Sequence, residues 1–82
     1  MSTAAPNALD VRPLPADRKL PTVLAIFEDL DAGDSFVLVD NRDPTALRTG
    51  IRAERPGEVR WVALEEGPPV WYVRVRRRPL SV

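Results

Sequence analysis

The chain has 82 residues, no cysteine and no histidine, and its twelve basic residues balance twelve acidic ones. That length holds one small domain, and 44% hydrophobic with 29% charged residues describes a folded chain. The missing residue types exclude disulfides, thiolate nucleophiles and iron–sulfur clusters, together with the commonest general base and metal ligand, while zero net charge selects neither nucleic acid nor an anionic membrane.

Residues 1–8 are small, polar and proline-containing, and predict a disordered tail with no secretory signal. A single domain is expected over 9–78, with a C-terminal tail at 79–82. Apolar runs reach only four to six residues, far short of the roughly 20 that cross a bilayer, so a cytoplasmic protein is expected. Leu9-Asp10-Val11 reads as a short strand, cut from the following helix by Pro13 and Pro15. Leu20, Val23, Leu24, Phe27 and Leu30 recur at helical spacing and predict one apolar face. The helix is expected to open at Asp17 or near Pro21, with Pro21 in its first turn and Gly33 closing it.

Ser35 to Val39 predicts a strand buried on both faces or central in a sheet. Asp40-Asn41-Arg42-Asp43 is a polar turn, after which Asp43 caps a second helix and Pro44 takes its first position. That helix turns Leu47 and Ile51 inward and ends by Pro56-Gly57; Gly50 within it costs about 1 kcal/mol relative to alanine. Glu58–Leu64 and Val70–Arg76 predict two strands joined through Glu65-Glu66-Gly67-Pro68-Pro69. The order β-α-β-α-β-β predicts an α/β two-layer sandwich, a four-stranded mixed sheet with two helices on one face.

Four segments carry a resemblance: Leu9-Asp10-Val11-Arg12-Pro13-Leu14-Pro15, Asp40-Asn41-Arg42-Asp43-Pro44, Ala53-Glu54-Arg55-Pro56-Gly57 and Leu64-Glu65-Glu66-Gly67-Pro68. In this order, between Leu9 and Arg77, they resemble the DUF2249 family of uncharacterised domains, which is similar in fold to the TusA-type sulfur carriers. Those carriers use a Cys-Pro pair where this chain has Ala16-Asp17, so the resemblance does not bring sulfur transfer with it. Family members often carry histidine before the proline of the first helix and within the Asp-Pro turn. This chain has Lys19-Leu20 and Arg42 there. The family name carries no activity, but relatives fused to hemerythrin-like domains imply an accessory role near redox or nitrogen-oxide metabolism.

Two surfaces stand out. A hairpin centred on Gly67 sets Trp61 opposite Val73 and Ala63 opposite Trp71, and sends Val59, Trp61, Ala63, Trp71, Val73 and Val75 into the core. The opposite face carries Arg60, Val62, Leu64, Val70, Tyr72, Arg74 and Arg76, an apolar strip rimmed by arginines that suits a protein partner or a homodimer. The second surface is the start of the first helix with the Asp-Pro turn. There Arg12, Asp17, Lys19, Arg42 and Asp43 are candidates for a small ligand or anion.

Other clusters have plainer readings. Arg74, Arg76, Arg77 and Arg78 read as a charged edge that discourages strand pairing rather than a nucleic-acid grip, since no phosphate loop or aromatic platform motif accompanies them. Arg48, Arg52 and Arg55 form a solvated stripe. Asp40, Asp43, Glu65 and Glu66 are explained by turn and cap chemistry, so no metal or cofactor is expected. Three serines without a histidine give no nucleophile, and Lys19 reads as a solvated charge; no enzyme activity is expected.

Overall fold

The computed structural model describes residues 7–79. Six elements follow in chain order: β1 (Ala8–Asp10), α1 (Ala16–Glu28), β2 (Ser35–Asp40), α2 (Thr45–Glu54), β3 (Val59–Glu65) and β4 (Trp71–Arg77). The sheet order is β1-β2-β4-β3. β1 runs parallel to β2 through the α1 crossover, whereas β4 is antiparallel to both β2 and β3. The result is the predicted mixed sheet, with β2 and β4 central and β3 at one edge.

Both helices pack on the same sheet face. Val23, Phe27 and Leu30 from the α1 side and Leu47 and Ile51 from α2 join Phe36, Leu38, Val59, Val73 and Val75 in one buried cluster. Leu20, Leu24 and Ile26 pack against it while half-exposed. Gly50 marks the closest approach of the helices, because a Cβ there would lie 2.5 Å from Leu20 Cδ2. The helix-propensity cost of that glycine is offset by the α1–α2 contact it permits.

Arg77 belongs to this interior architecture rather than to a free basic run. Its guanidinium lies 5.7 Å from the Phe27 ring centroid and donates to the carbonyls of Leu30 at 2.8 Å and Glu28 at 3.2 Å. A cation on these late carbonyls complements the negative end of α1.

The structure corrects several expectations. Ala8 pairs with Val37 in β1, inside the stretch read as tail; residues 1–6 and 80–82 of the expected tails lie outside the described residues. α1 starts at Ala16, behind an extended Pro15, so Pro21 is its sixth residue and not in its first turn. Asp17 and Pro21 are both exposed, so the carbonyl that loses its N–H partner to proline sits on the water-facing side. α1 ends at Glu28, and Gly33 instead serves the turn into β2, with φ 91° and its N–H on the Arg77 carbonyl at 2.7 Å.

Hairpin pairing also differs. Trp61 faces Val75 and Ala63 faces Val73, with a bulge between Ala63 and Glu65 that brings Glu65 opposite Tyr72. The connection spans Glu66–Val70 and is centred on Pro68; moving the centre by one residue moves the register by two. An even shift leaves β4 and the β3 residues up to Ala63 on their predicted faces, whereas the bulge puts Glu65, in place of the expected Leu64, on the face of Tyr72.

Candidate functional site

α2 covers the sheet where Leu47 and Ile51 join the core, and its first turn borders the hairpin end. There Ala63 is exposed and both tryptophans of the chain are half-exposed, although all three were expected in the core. Trp61 lies opposite Val75 and Trp71 four residues before Val75 along β4, about 13 Å of strand. Between them the inner face carries Ala63 and Val73, directly paired. A small side chain between two indoles leaves a slot, and the structure has a cleft of about 280 Å³ here.

Ala63 and Val73 line this cleft together with Trp61 and Trp71, while Asp43, Pro44, Thr45 and Arg48 contribute from the start of α2 and Glu66 from the hairpin loop. The N-cap of α2 is Pro44 rather than the expected Asp43, and the helix begins at Thr45 instead of with Pro44 in its first position. Asp43 stands one residue before the cap, where its Oδ1 accepts from Thr45 N at 3.0 Å and from Thr45 Oγ1 at 2.6 Å. These bonds from the Thr45 hydroxyl and amide hold its carboxyl below the ordinary range, so it is charged at neutral pH. Arg48 and Glu66 are exposed, giving the rim one further charge of each sign. Gly67 positions the loop, since a Cβ there would lie 2.8 Å from Val70 N and 3.0 Å from Trp71 Cε3.

The residues expected to bind a ligand near the first helix are largely engaged with one another. Arg12 is held by Asp10, with Nη2 to Oδ2 at 2.7 Å and Nε to Oδ1 at 2.9 Å, and this contact lowers the Asp10 pKa. Lys19 is buried, not solvated: Nζ donates to Asp40 Oδ1 at 2.7 Å, and Asn41 Oδ1 lies at 3.4 Å. Asp40 also accepts from Arg42 N at 3.3 Å, so this pair ties α1 to the end of β2 and its turn. Asp17 and Arg42 have exposed side chains, and Asp43, just before the α2 cap, borders the cleft.

Among the described residues the exposed large hydrophobics are Val62, on the open sheet face, and Leu64, at the bulge, at 37% and 51%. Tyr72 and Arg74 are half-buried on the open face and Arg60 and Arg76 are exposed, whereas Val70 is half-buried in the loop before β4. Arg55 of the expected helical stripe pairs with Glu28, whereas Arg48 and Arg52 remain exposed. Among the described residues no group of three or more carboxylates gathers to hold a metal.

The cleft is what periodicity missed. A period-two pattern gives the face of a tryptophan but not whether a ten-residue helix reaches far enough to cover it. The available signal was Ala63 flanked by two indoles on one face.

Two of the segments that carry the family resemblance, Asp43-Pro44 and Glu66, meet at this cleft. No curated protein matches the sequence. The fold is similar to that of HP1264 from Helicobacter pylori, known from a solution structure, at a TM-score of 0.75 and 14% identity, covering 90% of this chain and all of that one. The model of the uncharacterised conserved protein family DUF2249 matches residues 8–77, and the chain belongs to that family.

Proposed function

We propose that this chain is a non-catalytic binding module that seats a compact ligand group, or a side chain of a protein partner, between Trp61 and Trp71. The observation that carries the reading is the cleft itself: two indoles and an alanine floor beside a polar rim of both charge signs. Its volume lies at the small end of ligand pockets, which suits a compact group rather than an extended cofactor. Absence of catalysis is supported by the missing histidine and cysteine and by the burial of the only lysine against Asp40. A cytoplasmic accessory role beside redox metabolism is the setting we infer from the resemblance, and the missing cysteine argues against sulfur carriage.

Native mass spectrometry of tagged protein, purified gently from its own organism, tests this reading. A bound species on the wild type that is absent from Ala63→Leu, with the melting curve unchanged, is the expected result. A bound species retained by Ala63→Leu places recognition elsewhere and overturns the assignment.

A further inference from the structure

We infer a second recognition surface, adjoining the cleft along β3: the β3 edge and the arginines beside it dock an extended acidic peptide as a fifth strand. Three observations converge. β3 is a seven-residue edge strand, and among the described residues it pairs with β4 alone, so one side of its backbone has no strand partner there. On the open face Arg60 stands directly opposite Arg76, and Val62 opposite Arg74. No carboxylate of the described residues lies within 4.0 Å of these three guanidiniums; Arg74 reaches Ser35 Oγ at 2.9 Å, Arg76 the Gly33 carbonyl at 3.2 Å.

Like charges directly opposite on a sheet destabilise it. In a chain with twelve acidic residues and zero net charge, the fold nonetheless concentrates three arginines here without neutralising them. Charge complementarity therefore selects carboxylates as the partner chemistry. The edge selects the geometry, because an added strand gains main-chain hydrogen bonds and presents alternate side chains to each face. Carboxylates at every second position face Arg60 and its neighbours, and apolar side chains between them lie toward Trp61 and Ala63. Val62 gives the strand an apolar contact on the arginine side, before the bulge brings Glu65 onto that face.

The probe is a blocked octapeptide of alternating glutamate and valine, titrated into isotopically labelled protein at low salt, with an alternating lysine–valine peptide as control. The expected result is saturable amide shifts along Val59–Glu65, slowed exchange of the β3 amides that point away from β4, and affinity that falls steeply with salt. Arg60 is exposed and has no side-chain hydrogen bond or ion pair among the described residues, so Arg60→Glu is expected to fold as the wild type, to weaken the acidic peptide at least tenfold and to improve the lysine control. Equal binding of the two peptides, or shifts confined to the cleft, overturns the proposal. So does a single-stranded oligonucleotide that outcompetes the peptide, or a dimer whose β3 amides are already protected without it.

Discussion

Lys19 Nζ donates to Asp40 Oδ1 at 2.7 Å with the two side chains only 9% and 3% exposed, so the only lysine of the chain is half of a buried ion pair. Removing one partner of such a pair leaves an uncompensated charge out of water and costs about 3–5 kcal/mol. Lys19→Met is expected to lose stability on that scale in urea denaturation. Lys19→Met with Asp40→Leu is expected to recover most of it, because neither charge is then stranded. Equal losses in single and double variants would mean that Lys19 contributes through packing alone.

Gly50 and Leu20 set the spacing of the helices. Gly50→Leu places new atoms where Leu20 Cδ2 would already lie 2.5 Å from a Cβ, and overpacking of this kind costs about 1–3 kcal/mol. Leu20→Ala is expected to cancel part of the loss, and a double-mutant cycle measures the coupling. Strictly additive effects contradict the contact.

Acid should weaken the start of α2. The carboxyl of Asp43 titrates below its ordinary value of 3.8 because Thr45 hydrogen-bonds its charged form. A depressed folded pKa contributes stability that is complete above the unfolded value and is lost as pH falls through the folded one. Asp10 adds a contribution of the same sign through Arg12, so the comparison must isolate Asp43. Asp43→Asn keeps an acceptor without titrating, so the melting advantage of the wild type over this variant is expected to vanish below the folded pKa. An advantage that persists at the lowest pH contradicts the assignment.

How much of this was legible beforehand follows from the physics of each feature. Element order, the inward residues of α2 and the faces of β4 and of β3 up to Ala63 followed from hydrophobic period and turn chemistry, which are local, whereas the bulge beyond Ala63 did not. The hairpin register did not, since it depends on how Gly67 folds the loop back onto Val70 and Trp71. Lys19 could not be recognised as buried because its partner is twenty-one residues away and its own neighbourhood reads as a solvated helix start. For Gly50 the reading gave the cost, and only the packed helices gave the reason.

Gly67 offers a direct check of that loop. Gly67→Ala would bring a methyl against Val70 N and O at 2.8 and 2.9 Å, atoms of a backbone that cannot rotate aside. The expected outcome is a shifted loop, altered near-ultraviolet dichroism from Trp71 and a weakened cleft, with the helical far-ultraviolet signal retained. Unchanged tryptophan dichroism contradicts the packing described.

The most direct test of the central claim uses the fact that both tryptophans line the cleft. Compact fragments would be titrated while the two indole Nε1–H resonances are followed in wild type and Ala63→Leu. The account predicts that fragments which bind move both indole signals together in the wild type and neither in the variant. Fragments that bind while leaving both indoles unmoved, or that bind equally to Ala63→Leu, would contradict the cleft as the recognition site.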